Sequence, residues 1–235
     1  MGKTDLVRFI ISIVAIGILG SFLLSKLFLK RNIFTTKLIT RVALFSGISA
    51  LLYIIPYLKF AVPFFPSFLE IHFDEIPAMI AGFAYGPFCG FLVILIKTII
   101  KLPFTSSLCV GELTDFIYGS IIVVISSLFY KKNRSIKGAL IGLLVAMAVQ
   151  LVVSGFVTTF IILDFYIFVM GFPKQAIIAM SHMANPMVKS LGWDFFLFIA
   201  LPFNAFKDVI IIILTMLLYK KTHSIIDRAS NALAK

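Results

Sequence analysis

Charge is scarce in this 235-residue chain: 13% of its residues are Asp, Glu, Lys or Arg, against 61% hydrophobic. A water-soluble domain of that size could not cover so much apolar surface, so lipid must be a large part of its solvent. Tryptophan is nearly absent, with one residue beside 7 Tyr and 26 Phe. That balance puts aromatic packing in helix interfaces and pockets more than in a thick interfacial belt. Cysteine is limited to Cys89 and Cys109, each in or beside an apolar run, which indicates neither a disulfide framework nor a zinc site and reads as inert thiols. H-E-x-x-H, G-x-S-x-G and any helical cluster of phosphate-handling Asp residues are missing, so an intramembrane enzyme has little support. G-x-x-x-x-G-K-[ST] is missing too, and no soluble stretch could hold a nucleotide domain. Any ATP-driven step must therefore use partner subunits.

The formal charge of +11 would suit nucleic acid if the Lys and Arg residues lined one helix. They sit instead in short clusters between apolar runs, as topology signals do, and nucleic acid is not a partner. A membrane-crossing helix needs about 20 apolar residues, and the first run covers residues 9–29. It is too long for a signal-peptide core and no A-x-A-like cleavage site follows, so it reads as a retained helix. Further runs cover 38–57, 76–102, 110–129, 136–163 and 195–219. The 76–102 run contains Gly86, Pro87 and Gly90, and proline interrupts a helix. Two short helices joined by residues 86–90 are expected there. The expected architecture is an all-α integral membrane protein: residues 1–37 form an extra N-terminal transmembrane helix and linker, 38–221 a six-helix membrane domain, and 222–235 a cytoplasmic tail. No internal repeat is present.

With this helix count, the basic clusters around Lys30 and Arg41, Lys131 and Arg134, and Lys220 and Lys221 fall on one side, which the positive-inside rule assigns to the cytoplasm. The other face collects Glu70, Asp74, Glu75, Glu112, Asp115, Asp164, Asp194 and Asp208, eight of the ten acidic residues. Polar chemistry is therefore expected outside, with the loops over 63–74 and 164–194 external.

Three separated stretches carry a family resemblance. They are P-S-F-L-E-I-H-F-D-E-I-P over 66–77 running into G-F-A-Y-G-P over 82–87, V-G-E-L-T-D-F over 110–116, and L-P-F-N-A-F-K over 201–207. In this order they resemble the substrate-binding S components of energy-coupling factor (ECF) vitamin transporters, most of all the riboflavin-specific members, across residues 38–221. The N-terminal helix lies outside the pattern. The resemblance implies an S-component bundle in the bacterial cell membrane that imports a vitamin, riboflavin or a related flavin. It also implies a transmembrane coupling protein and two ATP-hydrolysing subunits as partners. No cofactor, metal or catalytic residue is expected.

By position, the resemblance assigns ligand contact to Asn204 and Lys207. Asn204 offers a donor and an acceptor suited to a ring edge, and the Asn-x-x-Lys spacing puts both groups on one helix face. A buried cation in a membrane helix is costly, which favours a cavity-facing Lys207, although pairing with Asp208 or Asp115 stays open. Thr158 stands where relatives carry an amide, and a hydroxyl cannot reproduce a two-ended amide contact. Lys97 and Glu112 are expected to form a buried pair that fixes helix register, more than to touch ligand directly. Asp115, on the same face as Glu112, either binds ligand or completes that network. Phe64, Phe65 and Phe68 are expected to cap the pocket, with Glu70 and Asp74 following on the polar side of the loop. His72, His182 and His223 receive no role. Small residues four apart, Ala43 with Gly47 and Ser46 with Ala50, form the expected docking stripe for the coupling protein. An S component for another nutrient remains an alternative. So does an ion-coupled carrier using Lys97, Glu112, Asp115 and Lys207, although such carriers commonly use paired halves.

Overall fold

The computed structural model describes residues 35–231, with side chains through residue 221. The helix expected over 9–29 and the side chain of His223 lie outside what is described. Helix α1, Thr36–Ile54, begins at Thr35, whose hydroxyl accepts from the Leu38 amide at 3.3 Å. Its buried residues, Val42, Ser46, Ser49, Ala50 and Tyr53, recur at three- and four-residue spacing and so form one face. A 3₁₀ turn at Pro56–Leu58 leads to two short antiparallel strands, β1 (Phe60–Ala61) and β2 (Glu70–Ile71). The Lys59–Glu70 ion pair at 3.2 Å closes the base of the loop between them.

Helices α2 (Glu75–Tyr85) and α3 (Pro87–Lys101) meet at Gly86, whose φ of +99° is costly for any residue with a Cβ. The break is sharper than the expected 86–90 connection, because Pro87 starts the next helix at once. Gly90 is helical and serves close packing: a Cβ there would lie 2.5 Å from Val123 Cγ1 and 2.9 Å from the Ala78 carbonyl oxygen. Helix α4 is Val110–Lys132. Helix α5, Ile136–Val157, is capped by Ser135 and runs into a π-helical turn, Thr158–Ile162, and then α6, Leu163–Phe168. After α7, Lys174–Ala184, the last stretch comprises α8 (Trp193–Phe195), a second π-helical turn (Phe196–Ala200) and α9 (Leu201–Asn231).

Among the described residues, five stretches are long and apolar enough to cross a membrane: Thr36–Ile54, Pro87–Phe104, Val110–Lys132, Ile136–Phe168 and Trp193–Lys221. Helix α2 is shorter and sits inside the bundle, where Ala78, Met79 and Ala81 are fully buried beside Val93, Ile122, Leu143 and Ile211. The region read from sequence as an external loop over 164–194 holds α6 and α7. Helix α7 escaped notice because it is short and buries only Ile177 and Ser181. The final helix continues through residues 222–231, into the stretch expected as a cytoplasmic tail.

The two ends of the bundle differ. At one end Phe83, Tyr130 and Tyr219 pack ring to ring at 5.0–5.9 Å, and Arg41 lies over the Tyr85 ring at 4.3 Å. This end carries the loop with Lys131, Lys132 and Arg134. The opposite end carries the β1–β2 loop and the polar cavity.

The proposed docking stripe on α1 needs correction. Ser46 and Ala50 are 1% and 4% exposed, because they share the inner face with Val42 and Tyr53, so they cannot meet a partner. Ala43 and Gly47 lie toward the outer face with Leu44, Ile48 and Leu51.

Candidate functional site

At the end opposite the basic loop, α1, the β1–β2 loop, α4, the α5–α6 π turn and α9 enclose a cavity of about 190 Å³ that is open on one side. Asn204, Lys207, Thr158, Phe68, Glu70, Glu112 and Asp115 all line it. Asn204 is 6% exposed, and its amide donates to the Ala200 carbonyl at 2.8 Å. That carbonyl belongs to the π turn, where the usual ladder is shifted, and such turns are common at functional sites. Thr158 opens the other π turn and lies 3.4 Å from the Tyr118 hydroxyl.

Apolar walls come from Phe68, Tyr118, Tyr166 and Phe203. Within the expected cap the three Phe residues divide. Phe68 faces the cavity and stacks on Phe195, Phe65 packs on Phe203 at 5.3 Å, and Phe64 projects outward at 75% exposure.

The ionic groups pair differently from the sequence expectation. Lys97 contacts the Asp74 carboxylate, not Glu112. Glu112 accepts instead from the Thr105 and Ser107 hydroxyls at 2.8 and 3.0 Å. The reason is the inward fold of the segment ahead of α2, which buries Asp74 at 0% exposure within reach of α3. Lys97 and Asp74 do not line the cavity. Lys207 pairs with Glu75 at 3.6 Å, and not with Asp115 or Asp208. Asp208 is fully buried, and neither carboxylate oxygen has a hydrogen-bond partner among the described residues.

Sequence reasoning missed Tyr53, His72, Lys101, Tyr118 and Tyr166, all of which line the cavity. His72 received no role in the sequence. It is 6% exposed, with Nδ1 against Asp74 Oδ1 and Nε2 3.5 Å from Asp115 Oδ2. Burial pushes its imidazole below the ordinary value, and the nearby Lys207 charge adds to this. A usable signal was its place two residues before Asp74, since a buried His beside a buried carboxylate needs an inward polar setting.

The family model for the substrate-specific component of ECF transporters matches residues 37–219. The chain belongs to this family. It is therefore an S component, a transporter subunit and not an enzyme, and a multi-pass protein of the bacterial plasma membrane. This S component is similar to the riboflavin transporter RibU of Staphylococcus aureus (strain TCH60), at 27% identity over 80% of this chain and 93% of the relative. It is also similar to the riboflavin transporter FmnP of Bacillus subtilis (strain 168), at 26% identity over 83% of this chain and 97% of the relative. A solved structure described as the S component of a bacterial ECF transporter superposes with a TM-score of 0.62 at 25% identity, covering 80% of this chain and 96% of that one.

Proposed function

We propose that this S component captures riboflavin or a closely related flavin at the outer face of the membrane, using the cavity around Asn204 and Lys207. The observation that carries this reading is the joining of those two groups to aromatic walls in a single cavity. A planar heteroaromatic ring suits such walls, while an amide and an ammonium suit carbonyl and N–H groups along a ring edge. The relatives named as riboflavin transporters support the same ligand. The cavity falls below the ~300 Å³ at the lower end of sites that enclose whole drug-sized ligands, and its open side leaves room for the rest of a flavin.

The outward placement follows from charge, since the opposite end carries Lys131, Lys132, Arg134, Lys220 and Lys221. In this reading α2 completes a six-helix bundle with the five long spans. A transmembrane coupling protein and two ATPase subunits supply the energy, and the coupling protein meets α1 along Ala43 and Gly47. The direct test is the absorbance spectrum of protein purified from cells grown with riboflavin. A co-purified flavin spectrum is expected. Protein that stays colourless after reconstitution with excess riboflavin refutes the ligand.

A further inference from the structure

Three carboxylates line the cavity, and their partners set them apart. Glu70 is paired with the Lys59 ammonium at 3.2 Å, and its side chain is 48% exposed. Glu112 accepts two hydroxyl bonds on one oxygen and organises its own loop. Asp115 projects from the first turns of α4 with its side chain 19% exposed. Its Oδ2 accepts from the Tyr53 hydroxyl and faces His72 Nε2 at 3.5 Å, whereas its Oδ1 has no hydrogen-bond partner among the described residues. Tyr53 is 4% exposed and sits tilted against the His72 ring, with centroids 5.0 Å apart, so both groups are fixed by packing. The lysines that line the cavity are engaged elsewhere: Lys59 with Glu70, Lys207 with Glu75, and Lys101 with the Phe104 carbonyl.

A partly buried carboxylate oxygen held this way loses its remaining water when a ligand fills the cavity, and that loss must be met by a donor on the ligand. We infer that Asp115 is a ligand-accepting residue for an N–H or O–H donor of the bound molecule, with Tyr53 and His72 as positioning residues that hold Oδ2 so that Oδ1 faces the ligand. The inference rests on the flavin reading. A flavin offers such a donor in two places, the imide N–H of the ring and the hydroxyls of its ribityl chain.

The experiment is a grid of affinities, measured by fluorescence quenching for wild type, Asp115→Asn and Tyr53→Phe. Each protein is titrated with riboflavin, with 3-methylriboflavin, which lacks the imide N–H, and with lumiflavin, which lacks the polyol. Asp115→Asn is expected to weaken riboflavin by about tenfold or more, and Tyr53→Phe by a smaller factor in the same pattern. If the penalty disappears with 3-methylriboflavin, the donor is the ring imide; if it disappears with lumiflavin, the donor is a ribityl hydroxyl. Equal penalties for all three ligands, or none for riboflavin, overturn the inference and return Asp115 to a purely structural role. Both variants keep the wild-type side-chain outline, and the three-ligand comparison within each variant cancels any uniform loss of folded protein. Failure of the wild type to bind any of the three overturns the flavin reading, and this inference with it.

Discussion

Lys207→Met separates ligand contact from structural pairing, because the lysine has a partner in the empty protein. Its ammonium lies 3.6 Å from Glu75 Oε1, and the side chains are 5% and 2% exposed. Removing the cation leaves a buried carboxylate unpaired, a change that costs about 3–5 kcal/mol in comparable cases. At roughly 2–4 °C per kcal/mol for a domain of this size, the melting temperature should fall by on the order of 10 °C. Restoring balance with Glu75→Gln in the same chain should recover most of that loss. Affinity should not follow. If Lys207 also donates to a flavin carbonyl, Lys207→Met and the double variant should both bind about ten- to a hundredfold more weakly, from a lost hydrogen bond of roughly 1–3 kcal/mol. Paired melting curves and fluorescence titrations read both quantities. Unchanged affinity in the double variant removes Lys207 from the site, and an unchanged melting temperature in the single variant refutes the Glu75 pairing.

Three further outcomes are expected. Lys97→Met and Asp74→Asn should each lower the melting temperature, while the double variant should lose less than the sum; strict additivity in that cycle would show that the pair does not interact. His72 is pushed below its ordinary value of about 6.5, so on acidification the unfolded chain gains a proton that the folded chain refuses, and stability present at neutral pH is lost as pH falls. His72→Gln should flatten the fall in melting temperature between about pH 7 and pH 5; an identical acid loss in the variant assigns it to other groups. In proteoliposomes containing this chain alone, ligand should bind without accumulating, and accumulation driven by an ion gradient would instead support a secondary carrier.

How much of this was legible in sequence depends on the scale of the contact. The Gly86-Pro87 dipeptide announces a helix break because backbone φ and a missing N–H are local properties. Asn204 and Lys207 were singled out by the family resemblance, and their three-residue spacing agrees with the one cavity that both line. Pairings were not legible. Whether Lys97 meets Asp74 or Glu112, and whether Lys207 meets Glu75 or Asp115, depends on how far the segment before α2 folds inward. The two π turns beside Thr158 and Asn204 left no local sequence mark either. On α1, Ala43-Gly47 and Ser46-Ala50 look alike as small-residue pairs, and only the positions of Val42, Ser49 and Tyr53 around the helix turn one pair inward. Tyr53 and His72 were passed over for a related reason: each is ordinary in sequence, and they acquire a role only where α1 and the β1–β2 loop bring them to Asp115.

The most direct test of the central claim is a riboflavin titration of the purified chain, stripped of bound flavin and free of any partner subunit, run beside Asn204→Leu. Saturable 1:1 quenching of flavin fluorescence is expected for the wild type, with about ten- to a hundredfold weaker binding in the variant. Absence of saturable quenching in the wild type, or equal affinity in the two proteins, contradicts the account.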